Sequence, residues 1–184
     1  ALLWSPTGAA IAFSRDVFPS CGADDACYAR LADWQTKGPL KAHVADELLL
    51  RHWTEWDDGK RTHIMLAELA TGAVRDLTPG DREAPTFALD APRAYDFSPD
   101  GSLLAYAQNP DSPETLAMST NVDVMVVPVA FDAEGHPQPA QNITAANKAF
   151  DGTPRFSPDG RYIAYRTQAT PGYESDLFRV ALYD

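Results

Sequence analysis

The chain has 184 residues, of which 45% are hydrophobic and 10% aromatic, enough apolar material to bury a core and too much for wholesale disorder. Fifteen Lys and Arg stand against 26 Asp and Glu, a net charge of −11 that argues against nonspecific nucleic-acid binding, which needs a basic face for phosphates. No run of 18 apolar residues occurs, so no helix is expected to span a membrane, and no charged-then-apolar leader opens the chain. The expectation is a chain whose signal peptide has been removed, or one cut from something longer.

The first phrase, "LLWSPTGAAIAFS" (residues 2–14), reads as strand, tight turn, strand. "PSCGADDACYAR" (residues 19–30) then holds the only cysteines, Cys21 and Cys27, with five residues between them. They form either a small disulfide loop in an oxidising compartment or two unpaired thiols, and without a neighbouring histidine the zinc signal is weak. "CYARLADWQ" (residues 27–35) is the best helical signal in the chain. Next comes "LLLRHWTEWDDGKRTHIML" (residues 48–66), where Asp57-Asp58-Gly59 is a turn signal predicting a long hairpin of 48–56 with 60–69. Period-2 alternation along that hairpin places Arg51, Trp53 and Glu55 on one face and His52, Thr54 and Trp56 on the other. Such a strand either recognises a substrate or pairs Arg with Glu while its tryptophans cover the rim. "HIMLAELATGAVRDLT" (residues 63–78) adds strand, a turn at Ala70-Thr71-Gly72, and strand.

Two further copies follow. "YDFSPDGSLLAYA" (residues 95–107) leads to "VDVMVVPVAFDAEGHPQPAQNIT" (residues 122–144), and "RFSPDGRYIAY" (residues 155–165) leads to "DLFRVALYD" (residues 176–184). Aligned on Gly8, Gly101 and Gly160, each copy has an aromatic before Ser-Pro (Trp4, Phe97, Phe156). Each also has an aliphatic three residues after the glycine (Ile11, Leu104, Ile163), then Ala (Ala12, Ala105, Ala164), then an aromatic (Phe13, Tyr106, Tyr165). Proline fixes φ, Asp accepts local backbone bonds and Gly supplies φ > 0, so Ser-Pro-Asp-Gly between apolar runs is a hairpin turn. Leu77-Thr78 and Ile143-Thr144 close the first two units alike. Four antiparallel strands recurring at about this period are the signature of β-propeller blades.

The expected fold class is therefore all-β, a partial β-propeller within one domain. Blade 1 covers about residues 2–78 with a long insertion at 15–62, blade 2 about 94–144, and blade 3 about 153–184, short of its outermost strand. Three blades do not close a ring, so a fragment of a propeller is expected, with open edges available for self-association.

"FSPDGRYIAY" with "ATGAVRDLT" resembles the blade repeats of the prolyl oligopeptidase family of serine peptidases. "RHWTEWDDGKRTHI" and "YRTQATPGYESDLFRVALYD" are similar to the propeller of its bacterial dipeptidyl-peptidase V and acylaminoacyl-peptidase-like members. The resemblance implies a propeller partnered with a C-terminal α/β-hydrolase domain that carries a Ser-His-Asp triad. The propeller would limit access to short peptides and supply carboxylates for the substrate's free amine, with no cofactor. Glu55, Asp57, Asp58 and Glu174 are the candidate acids, and Arg51, Trp53, Glu55, Asp57, Tyr173 and Glu174 make the candidate substrate-binding set. The adjacent Glu-Glu pair of the dipeptidyl-peptidase IV branch is absent. Tyr173 and Glu174 could equally cap their blade. A bacterial periplasmic or secreted location goes with this reading.

No Gly-x-Ser-x-Gly nucleophile elbow occurs, and His43, His52, His63 and His136 show no HExxH spacing, so this chain is not expected to hydrolyse anything itself. The competing expectation is a stand-alone TolB-like propeller that serves as a protein-interaction scaffold. Asn142-Ile143-Thr144 fits a glycosylation sequon but is read as a strand end.

Overall fold

The computed structural model describes residues 2–42, 44, 48, 50–52, 54–86 and 94–184. The first repeat contains β1 (Leu2–Trp4), β2 (Ala10–Val17), α1 (Asp25–Lys37), β3 (Arg51–His52), β4 (Glu55–Trp56), β5 (Arg61–Glu68) and β6 (Val74–Asp76). The second contains β7 (Tyr95–Phe97), β8 (Leu103–Gln108), α2 (Pro113–Leu116), β9 (Asp123–Pro128) and β10 (Gln141–Asn142), and the third β11 (Asp151–Phe156), β12 (Ile163–Thr167) and β13 (Arg179–Tyr183). Each repeat is an antiparallel meander: β1-β2-β5-β6, β7-β8-β9-β10 and β11-β12-β13. The chain is an all-β partial propeller.

The Ser-Pro turns drive this arrangement. Gly8, Gly101 and Gly160 have φ of 71°, 73° and 73°, and each donates its N–H to the serine carbonyl three residues back at 2.8–2.9 Å. In the second and third copies the serine hydroxyl donates to the turn aspartate, Ser98 to Asp100 and Ser157 to Asp159. In the first, Thr7 replaces that aspartate and its hydroxyl meets that of Ser5 at 2.9 Å. The turns also sit against one another between blades. A Cβ on Gly101 would stand 3.0 Å from Ser5 Oγ, and one on Gly160 would stand 3.5 Å from Pro99.

The alanines of the first two copies lie where neighbouring sheets press together. Ala12 joins a buried cluster that draws Ile64, Leu66 and Leu77 from the first sheet and Tyr95, Leu104 and Tyr106 from the second. Ala105 and Val124 of the second sheet meet Ile163 of the third, with Phe156 packed alongside. Burying side chains such as Ile64 and Leu104, both without exposed area, contributes roughly 1.5–3 kcal/mol each. The Phe156 N–H also donates to Asp96 Oδ2 at 3.0 Å, tying β11 to β7.

The expected long hairpin of 48–56 with 60–69 does not form. β5 pairs with β2 over eight residues, from Ala10↔Glu68 to Val17↔Arg61, and with β6 on its other edge. Both edges of β5 are thus occupied. The preceding segment folds on itself instead, with Arg51 opposite Trp56 and His52 opposite Glu55. The expected two-faced strand from Arg51 to Trp56 is replaced by this small antiparallel pair. The described residues between β2 and β5 belong to one excursion. Within it the expected helix is present and longer than its apolar signal, because Asp24 caps it by accepting from the N–H groups of Ala26 and Cys27.

Candidate functional site

In each meander the connection between the second and third strands emerges at the end opposite the Ser-Pro turn. The described residues of three such connections, β2 to β5, β8 to β9 and β12 to β13, make a loop face. Among the described residues no helix is long and apolar enough to cross a membrane, and no three His, Cys, Asp or Glu are grouped to hold a metal ion.

The excursion of the first blade is stapled by a Cys21–Cys27 disulfide. It docks through aromatic and charged contacts: Phe18 and Tyr28 lie 5.4 Å apart, Lys60 approaches both rings, and Arg15 pairs with Asp25 at 2.6 Å. Helix α1 buries no residue and leaves Trp34 60% exposed.

In the second blade, Asp111 organises residues 109–121. Its carboxylate accepts from the Ser119 hydroxyl at 2.5 Å and from Asn121 Nδ2 at 3.0 Å, and these bonds hold it below the usual carboxylate range. Arg82, from the connector after β6, donates to the carbonyls of Asn109 and Asp111 and so fixes this loop from the first blade.

In the third blade, residues 168–176 close into a ring. Gln168 Nε2 donates to the carbonyls of Glu174 and Asp176, while Asp176 accepts from the backbone N–H groups of Ala169, Thr170 and Leu177. Those backbone donors lower the Asp176 carboxyl. Gly172 N–H donates to Thr120 Oγ1 at 2.9 Å, which joins the second and third loops. Between them lies a hollow of about 330 Å³ lined by Asp111, Glu114, Asn121, Lys148 and Gly172, among others.

The sequence-predicted residues separate into two groups. Arg51 places its guanidinium 5.9 Å over the Trp56 ring, and Asp57 is spent on the N–H of Gly59 and the guanidinium of Arg61. Asp58 pairs with Lys60 at 2.5 Å. Glu55 stands opposite His52 in register, and Trp53 lies outside the described residues. Tyr173, 55% exposed, and Glu174, also exposed, belong to the closed ring of the third blade and do not line the hollow. The two groups belong to blades 1 and 3, and the bonds just described stay within each loop or reach the second blade.

Sequence reasoning missed the polar network beneath this face. His63 Nδ1 lies 2.7 Å from Asp76 Oδ2, and at the equivalent place in the second blade Asn142 Nδ2 donates to Asp123 Oδ2 at 2.6 Å. The signal was available: Asp76-Leu77-Thr78 and Asn142-Ile143-Thr144 are the same three-residue closure. Asn142 spends both amide atoms in it, since its Oδ1 accepts from Thr144 N–H. The sequon is thereby used as architecture.

No family model matches the chain. Curated relatives do. Over 145 residues it is 30% identical to Dipeptidyl-peptidase 5 of Porphyromonas gingivalis, covering 77% of this chain and 20% of that protein. The chain is similar to dipeptidyl-peptidases. The protein of the same name from Porphyromonas endodontalis is 30% identical over 147 residues, and that from Schizosaccharomyces pombe 25% over 160. The chain spans about a fifth of the length of these relatives. Among solved structures, TolB from Acinetobacter baumannii aligns over the whole chain and 40% of its own, at 15% identity and a TM-score of 0.35.

Proposed function

We propose that this chain is a non-catalytic propeller segment of a serine peptidase of the dipeptidyl-peptidase kind. In this reading its loop face gates short peptides and helps hold the substrate's free N-terminus for a separate α/β-hydrolase domain. The observation that carries it is the 30% identity to Dipeptidyl-peptidase 5 over 145 residues. The loop face supports it chemically. A peptide ammonium needs a carboxylate held in place, and charge-assisted bonds of that kind are the strong ones. The backbone that carries Tyr173 and Glu174 belongs to a ring closed by Gln168 and Asp176, so the loop itself needs little ordering when a ligand arrives. A periplasmic or secreted location fits the Cys21–Cys27 bridge, which persists in oxidising surroundings.

The test uses the full-length protein with chromogenic dipeptide substrates. Release of dipeptides is expected, with Glu174→Gln raising KM about tenfold at little change in kcat, the pattern of lost ground-state binding. No release from a protein with an intact nucleophile elbow refutes the peptidase reading. Release with KM unmoved by Glu174→Gln and Tyr173→Ala refutes the assignment of these two residues alone.

A further inference from the structure

Beneath the excursion of the first blade the His63 imidazole has no exposed area. Its Nδ1 faces Asp76 Oδ2 at 2.7 Å and its Nε2 faces the Gly80 carbonyl oxygen at 2.8 Å. A carbonyl and a carboxylate only accept, whereas a neutral imidazole carries a single N–H. Both contacts are hydrogen bonds together when both ring nitrogens are protonated and Asp76 is ionised. The proton belongs on the ring, because histidine ordinarily holds it to about pH 6.5 and aspartate only to about 3.9.

The two acceptors belong to segments that organise the loop face. Asp76 Oδ1 accepts from Thr78 N–H, and Gly22 of the disulfide loop lies so close that a Cβ there would stand 3.3 Å from Asp76 Oδ2. Gly80 opens the connector that carries Asp81, Arg82 and Glu83. Asp81 pairs with Arg61, Glu83 accepts from Thr62 N–H, and Arg82 grips the carbonyls of Asn109 and Asp111 in the second blade. The second blade performs the same closure with Asp123 and Asn142, a pair that needs no additional proton. The version that holds an extra proton is found, of these two, in the blade with the long excursion.

We propose that His63 and Asp76 form a proton-held latch. While the ring carries both protons it locks residues 79–84, and through Arg82 the loop 109–121; loss of one proton on the alkaline side frees both. The latch stands independently of what the loop face binds.

The charged groups around the ring agree with this. Asp76 faces it from β6 and Glu83 acts on it from the connector. On β2, Arg15 is opposite His63 in register, but its guanidinium is drawn to Asp25 and over Tyr28, and Asp16 is taken by the Thr62 hydroxyl. On β5 itself Arg61 is engaged with Asp57 and Asp81. Burial pulls the imidazole down, yet Asp76, the Gly80 carbonyl and Glu83 together carry it above the ordinary histidine value. A raised value means that the stabilisation is complete below the ordinary histidine pKa and is lost as pH climbs through the folded one.

The test is a ring-nitrogen NMR titration of the protein labelled with ¹⁵N-histidine, with His63→Gln assigning the signal among the four histidines. His63 should show two protonated ring nitrogens below the ordinary histidine pKa and keep them to a pH above it. As it titrates, amide protection at residues 79–84 and 109–121 should fall about tenfold, while residues 151–156 stay protected. Loss of the second ring proton at or below the ordinary histidine pKa overturns the proposal, and so does deprotonation with unchanged protection at 79–84. Asp76→Asn supplies the second check: with its carboxylate gone, His63 should lose the second proton at lower pH, and an unmoved titration refutes the latch.

Discussion

The threonines that close the first two blades offer a test in which shape and hydrogen bonding separate. Thr78 Oγ1 accepts from the buried N–H of Ile64 at 2.9 Å, and Thr144 Oγ1 accepts from that of Val124 at the same distance. Both threonines are 6% exposed. Thr→Val preserves the outline of the side chain and replaces the acceptor with a methyl group, leaving a buried backbone donor unpartnered at a cost of about 1–3 kcal/mol. For a chain of this length each kcal/mol lowers the thermal midpoint by about 2–4 °C, so Thr78→Val should melt roughly 2–12 °C lower. Thr144→Val should fall at the upper end, because that hydroxyl also approaches Asp123 Oδ1 at 3.5 Å in a pocket with two buried acids. Thr→Ser, which keeps the hydroxyl, should retain most of the stability. Melting followed by circular dichroism gives the ranking, and hydrogen exchange at Ile64 and Val124 localises it. If Thr→Val proves neutral while Thr→Ser is costly, packing of the methyl and not the bond to the strand closes the blade, and the reasoning is wrong.

Asp151 is 1% exposed, its Oδ2 has no hydrogen-bond partner among the described residues, and burial raises its carboxyl above the usual range. A raised acid contributes stability below its unfolded pKa and loses it as pH rises through the folded value, each unit of displacement being worth about 1.4 kcal/mol. The stability of Asp151→Asn relative to the parent should therefore increase from about pH 4 toward neutrality; a difference independent of pH in chemical denaturation would contradict this. Gly101→Ala should be costlier than Gly8→Ala. Both place a side chain at positive φ for about 1–2 kcal/mol, but only at Gly101 would the new Cβ also meet Ser5 Oγ at 3.0 Å and Thr7 Cγ2 at 3.1 Å, the Gly8 site being open. Equal losses in the two melting curves would sink the stacked-turn account. Reduction of Cys21–Cys27, a bridge of sequence separation 6, should cost about 2 kcal/mol by loop-closure entropy. Protection should be lost first in residues 18–28, and an unchanged melt under reductant would show that the staple adds nothing.

The architecture was legible because it rests on residues with a single local reading. Glycine at positive φ after Ser-Pro with an apolar strand on either side occurs three times, twice with an alanine where two sheets touch, and leaves few other folds. Strand partnership was not legible in the same way. Residues 61–68 read correctly as a strand, but nothing in their alternation says whether they pair with the segment before the Asp57-Asp58-Gly59 turn or with β2, whose nearest register pair joins Val17 to Arg61 across the whole excursion. The repeat held the answer, since β8 pairs with β9 across residues 109–122 and the same register rule carries β2 to β5 across residues 18–60.

The buried polar layer was hidden for a different reason. In a chain with 26 acids, Asp76, Asp123 and Asp151 look like solubilising charges, and His63 looks like one more strand residue. Burial is decided by what crosses over each strand end, and here the crossing segments are irregular: the connector after Thr78, residues 145–150, and the disulfide loop. A side chain becomes a buried acid or a buried imidazole only when those segments lie over it. Chain-local pattern carries no information on that. Homologous positions within the repeat do, because they show which closures the blade tolerates: His63 with Asp76 in one, Asp123 with Asn142 in the other. Since the second closure needs no extra proton, the protonated form in the first is not required by the blade. It coincides with the connector that reaches across to Asn109 and Asp111, and that is where a change in protonation has a loop to move.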